Sequence, residues 1–153
     1  MADRTEQNRR FAERFHAGAR RRPATAAQLA EAESALGVIL PVSYRQFALT
    51  CGAVFAPSLL DLVVDRRPGY SAVQQFLTPK QAVTETRRWG LDPAGGCAAF
   101  AADASRSWFA FRHLSGADPR PDDAAVWLFD LELGEAQIES ESFDGWIGRY
   151  LGL

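Results

Sequence analysis

Cysteine is scarce in this chain, with two in 153 residues, Cys51 and Cys97. Disulfide scaffolds are short and cysteine-dense, so the chain is read as standing on a hydrophobic core in a reducing cytoplasm. Histidine is as sparse, at His16 and His113, and lysine occurs once, Lys80, against 16 arginines. With alanine abundant, that imbalance reads as GC-rich codon usage of a bacterium and not as a functional choice. No apolar stretch approaches the ~20 residues that span a bilayer, and the opening residues MADRTEQNRR lack the apolar segment of a secretory leader, so no membrane partner is expected. Neither sign of charge prevails, at 17 basic against 19 acidic residues. That argues against a protein whose whole surface binds nucleic acid.

What is present is the composition of one ordinary domain, 47% hydrophobic and 11% aromatic. A chain of this length buries roughly 70% of the surface it exposes when unfolded, enough for one core over residues 1–153. The charges are segregated: residues 1–22 hold seven arginines against three acids, whereas residues 103–144 hold ten acids against three arginines. The second half therefore carries the makings of an acidic surface.

The hydrophobic spacing orders the chain. Phe11 and Phe15, four apart among arginines and glutamates, predict an amphipathic helix over Thr5 to Ala19, within an Arg-rich N-terminal segment 1–22. Thr25 and Gln28 form a capping-box pair before Leu29, Ala32 and Leu36, and Gly37 supplies the stop. Pro41 opens a helix carrying Tyr44, Phe47 and Ala48, which Gly52 ends. Leu59 to Val64 is rich in β-formers and reads as a strand. Thr78-Pro79-Lys80-Gln81 repeats the capping logic for a helix ended by Gly90. Cys97 to Ala102 and Ser107 to Arg112 read as a hairpin, the second strand central and covered on both faces. Ala125 to Phe129 is a further strand, Gly134 turns it into Glu135 to Glu139, and Ser142 caps a last helix with Phe143, Trp146, Ile147, Tyr150 and Leu151. The expected fold class is α+β, a single domain with a mostly antiparallel twisted sheet, N-terminal helices, one inserted helix and a C-terminal helix.

Chemistry has few footholds in this pattern. A thiol nucleophile would be Cys97 with His113 as base and Asp92 or Asp118 as orienter, yet Cys97 opens an alanine-rich strand, where a free cysteine is usually a small buried hydrophobe. The acids of Asp118-Pro-Arg-Pro-Asp122-Asp123 lack the ladder and terminal glutamate of a calcium loop, and Cys51 belongs to no C-x-x-C pair. Gly95-Gly96 precedes a strand and not a helix, which is no phosphate cradle. Asp61, Asp103 and Asp130 flank apolar runs and are expected at strand ends, bonded to backbone. Trp108, Trp127, Phe129 and Trp146 are expected in the core first and at an interface second. No catalytic residues, metal or cofactor are expected.

Residues 30–54, AEAESALGVILPVSYRQFALTCGAV, resemble the signature of the SUKH superfamily, which includes fungal cell-wall-assembly regulators and bacterial immunity proteins. The resemblance rests on Glu33, Leu36-Gly37, Leu40-Pro41, Tyr44, Phe47 and Gly52, and continues through Phe100 to Asp103, Val126 to Asp130 with Gly134, and Ser142-Phe143 with Trp146, so that the family-like core spans residues 25–151. Cys51-Gly52 stands where the family usually has asparagine-glycine, and Ser105-Arg106-Ser107 stands where it has glycines. The resemblance implies a non-enzymatic immunity protein that binds and neutralises a cognate toxin encoded by an adjacent gene. An acidic face suits the basic cleft of a nuclease-like toxin, and the expected partner-binding residues are Asp118, Asp122, Asp123, Glu132 and Glu135, with Trp108 as aromatic anchor. A solubilising surface would look the same. Two other readings remain open: a regulatory scaffold unrelated to toxins, and a small hydrolase using Cys97 and His113.

Overall fold

The structure is a computed structural model, and it describes residues 3–91, 96–105, 107–115 and 119–153. Six helices and five strands follow in the order α1 (Arg4–Phe15), α2 (Ala26–Leu36), α3 (Val42–Thr50), α4 (Ser58–Arg66), β1 (Val73–Phe76), α5 (Pro79–Arg88), β2 (Ala98–Asp103), β3 (Ser107–Phe111), β4 (Val126–Asp130), β5 (Glu135–Ser140) and α6 (Phe143–Leu151). The strands form one antiparallel sheet in chain order, β1-β2-β3-β4-β5, with α5 inserted between the first two. This is the expected α+β architecture, with β3 at its centre.

The local signals act as physics requires. Thr25 and Thr78 each accept from the backbone N–H three residues on, while Gln28 and Gln81 return bonds to the cap N–H groups. Gly37 ends α2 at φ +66°, in the left-handed region that only glycine enters without cost. Gly52 follows α3 at φ +72° for a further reason: the Arg22 carbonyl lies against its α-carbon, leaving no room for a Cβ. Thus the Arg20 to Pro23 linker closes onto the end of α3.

One expected element is overturned. Leu59 to Val64 is helix α4 and not a strand. Its β-forming composition gives way to spacing: Leu59, Leu62 and Val63 share the face turned to the core, while Leu60, Asp61 and Val64 face outward. Pro57 sits at the start, and Arg67 ends the helix at φ +48°. Asp61 consequently lies in a first helical turn and not at a strand end. The short strand β1, Val-Gln-Gln-Phe, takes the place in the sheet that the misread segment would have held. The first helix also ends earlier than expected, at Phe15.

The main core lies between the inner face of the sheet and α1, α3 and α6. Trp146 is its hub, with ring centroids of Phe109 at 5.0 Å, Phe100 and Tyr150 at 5.4 Å, and Phe76 and Phe143 at 5.7 Å. Phe11 of α1 packs against Phe15, Phe47, Phe76 and Tyr150 at 5.1–6.1 Å. Edge-on and offset contacts of this kind suit the ring quadrupoles. A second, smaller cluster of Leu91, Cys97, Ala99 and Ala110 lies apart from this core.

Candidate functional site

Pairing across the sheet defines the outer face. One rung runs Ala99, Ala110, Trp127, Ile138, and the next runs Ala102, Trp108, Phe129, Ala136. Side chains on one face of a sheet alternate with those on the other, and Ala99 and Ala110 belong to the small cluster, with Trp108 and Phe129 packed against it. The gradient from small to large has a structural reason. At β2 the alanines admit α5, whose Thr86 hydroxyl accepts the Ala99 N–H at 2.9 Å. Toward β5 the rings are left partly open: Trp108, Trp127 and Phe129 are half-buried and Ile138 is 47% exposed. The Arg112 guanidinium lies 4.5 Å over Trp127 and 5.5 Å from Phe129, and His113 meets Trp127 edge-on at 6.2 Å. The indole N–H of Trp108 is buried with no hydrogen-bond partner among the described residues.

The β4–β5 turn borders this face. Asp130 Oδ1 accepts the N–H groups of Glu132 and Leu133 at 3.0 and 3.1 Å, so that its carboxylate shapes the turn. Leu133 at the tip is 70% exposed. Glu132 and Glu135 are exposed and take part in no ion pair among the described residues. No lysine or arginine occurs between Arg120 and Arg149. An aromatic sheet face therefore adjoins a turn whose acids form no ion pair among the described residues.

The expected partner-binding residues divide. Trp108 lies on this face, and Glu132 and Glu135 lie at the turn that borders it, Glu135 on the opposite side of the strand from Ala136. Asp122 lies beyond the opposite end of β4, where Arg4 Nη2 binds it at 2.8 Å and bridges to Asp144, also at 2.8 Å. That guanidinium holds the Asp122 carboxyl below the usual carboxylate range. Asp123 is a correction to the acidic rim: its carboxylate accepts the Ser43 hydroxyl and the N–H groups of Ala124 and Phe143, each at 2.8 Å, and the Asp144 N–H at 3.2 Å. Four donors turn it inward as the clamp that joins α3 to the N-terminus of α6. Asp118 lies outside the described residues.

Other candidates resolve into structure. Asp103 Oδ1 accepts from Ser105 and Ser107 N–H and closes the β2–β3 hairpin. Cys97 is buried among Leu91, Ala99 and Ala110, as a small hydrophobe would be; Asp92 and Gly95 lie outside the described residues. Among the described residues no group of three or more His, Cys, Asp and Glu side chains could hold a metal ion. Of the four aromatics read as core first, only Trp146 is core. The outward placement of Trp127 and Phe129 was missed because an apolar run looks alike whether a helix covers its second face or not. Glu33 of the family-like motif is a hub: its carboxylate binds Arg45 at 3.0 Å and Arg120 at 2.5 Å and accepts the Leu40 N–H at 2.8 Å.

A cleft of about 820 Å³ opens elsewhere, between α2 and the start of α5, with Tyr44, Phe47 and Phe76 at its base and Arg22, Glu31 and Lys80 on its walls. Its charges are mixed, in contrast to the turn at Glu132 and Glu135.

The fold and this surface define an α+β domain with its core on one side of an antiparallel sheet and an aromatic face on the other. Residues 23–149 match the model of the SMI1 / KNR4 family (SUKH-1), and the chain belongs to that family. No curated protein matches the chain. Among the described residues no helix is long and apolar enough to cross a membrane.

Proposed function

We propose that this protein is an immunity protein of the cytoplasm, which binds and neutralises a cognate bacterial toxin, and that the outer face of β3–β5 with the β4–β5 turn is its binding surface. The observation that carries the reading is a face of half-open Trp108, Trp127 and Phe129 bordered by the turn that carries Glu132 and Glu135, acids without ion-pair partners among the described residues. Aromatic side chains anchor interfaces because they bury large areas at small entropic cost. Unpaired acids steer a basic partner, which speeds encounter and makes it salt-sensitive. Membership of the SMI1 / KNR4 family supports a protein partner over a small substrate.

The test is association with the toxin domain encoded beside this gene. Glu132→Lys with Glu135→Lys is expected to slow association about tenfold at low salt and to flatten its dependence on ionic strength. Trp127→Ala is expected to speed dissociation by a similar factor, as loss of an anchor does. Unchanged rates for both variants would count against the reading. An adjacent product with no toxic activity that still binds would favour a regulatory scaffold.

A further inference from the structure

The two edges of the sheet are treated differently. The edge at β1 is closed by the segment Val54–Ala56: the Phe76 N–H donates to the Val54 carbonyl at 2.8 Å, the Ala56 N–H donates to the Gln74 carbonyl at 2.7 Å, and Phe55 bridges Gln75. The edge at β5 has no such strap among the described residues; its one outside backbone contact is the Glu139 carbonyl, which accepts from Arg149 at 2.7 Å. Over Glu135–Ile138 the strand is exposed, and alternate N–H and C=O groups of an edge strand point away from the sheet.

We infer that β5 is a docking edge that accepts an extended segment alternating basic and apolar residues, added as a sixth strand. This rests on the reading of the outer face as a protein-binding surface and names how the partner is held. Ala136 and Ile138 end the two aromatic rungs, so apolar side chains of an added strand prolong the rows Phe129–Ala136 and Trp127–Ile138. The alternate positions Glu135 and Gln137 lie on the other face, beside Asp130 and Leu128, and there a basic side chain meets Glu135. Main-chain hydrogen bonds supply affinity and the alternate side chains supply selection. Charge favours a basic partner over a second copy of the chain, whose β5 strand Glu135–Ser140 offers no lysine or arginine to Glu135. The register irregularity in β5 between the partners of Val126 and Trp127 limits the flat run to Glu135–Ile138.

The probe is a blocked seven-residue peptide, Val-Lys-Val-Lys-Val-Lys-Val, with a control of the same charge, Val-Lys-Pro-Lys-Pro-Lys-Val, whose two prolines prevent a ladder. Amide exchange of the full-length protein is followed by NMR. The alternating peptide is expected to slow exchange of the outward-facing amides in residues 135–138 by about tenfold, and the control to leave them unchanged. Equal protection by both peptides, protection at residues 73–76 instead, or none at millimolar peptide would each overturn the inference. The toxin complex separates the two readings. Toxin that is slowed by reversal of Glu132 and Glu135, yet leaves 135–138 unprotected, overturns strand addition and keeps the charged surface. Peptide protection alongside an indifferent toxin supports strand addition and removes the toxin reading.

Discussion

At the residue scale, two glycines with nearly the same backbone angle separate conformational cost from steric cost. Gly37 at φ +66° has open space where a Cβ would stand, whereas at Gly52, φ +72°, the Arg22 carbonyl occupies that space. Gly37→Ala is expected to cost about 1–2 kcal/mol, the strain of a left-handed residue alone. Gly52→Ala should exceed that by at least about 1 kcal/mol, because backbone must move as well; equal values in urea denaturation would refute the distinction. Cys51 gives a pH dependence. Burial pushes its thiol up to about 11, against the pull of Arg21, whereas an unfolded thiol titrates near about 8.5. The native state thus holds the proton more tightly, so this stabilisation is complete below about pH 8.5 and is lost as pH rises through the folded value. Cys51→Ala should flatten the fall of unfolding free energy over that interval by at most about 1.4 kcal/mol per pH unit. Parallel curves for variant and parent would show that the thiol does not contribute. Both glycines were legible in the sequence as helix stops, but the tightness at Gly52 was not, because the carbonyl that fills the space belongs to a residue thirty positions earlier in the chain.

At the element scale, legibility followed local chemistry. The capping boxes at Thr25 and Thr78, the cap at Ser142 and the turns at Asp103 and Gly134 are written within a few residues, and each element they bound is present. Helix α4 reads as a strand by composition, since valine and leucine fit either, and only the i, i+3, i+4 placement of Leu59, Leu62 and Val63 identifies the helix. Asp123 could not be assigned from sequence, since its ligands lie on α3 and α6, remote along the chain. Its position predicts behaviour unlike that of a surface acid. Asp123→Ala removes the acceptor for two N–H groups at the start of α6, and is expected to cost about 2–3 kcal/mol in thermal or urea unfolding. Asp122→Ala, whose side chain is 77% exposed and whose ion pair is screened by solvent, should cost clearly less than Asp123→Ala in the same measurement. A mild Asp123 variant would place that carboxylate back on the acidic rim.

At the scale of the whole molecule, the family match begins at residue 23, yet the core does not. Phe11 is fully buried and packs on Phe47, Phe76 and Tyr150, while Arg4 ties α1 to Asp122 and Asp144. Phe11→Ala is expected to cost about 3–5 kcal/mol, a large share of the 5–15 kcal/mol typical of a domain. A chain started at residue 23 should accordingly lose its near-ultraviolet circular dichroism and cooperative melting; a truncated protein that melts cooperatively near the parent temperature would show α1 to be dispensable. The sequence disclosed which residues are apolar in β3 and β4, but whether the second face of the sheet is covered depends on where every helix packs, a property of the assembled fold.

The strap across β1 has a consequence for how such molecules gather. A filament built through strands needs two bare margins per subunit, one to receive and one to offer, and here Val54–Ala56 has sealed one of them. Growth by ladder extension through that margin is therefore blocked, which keeps a sheet whose other flank is open among the described residues from propagating into fibres.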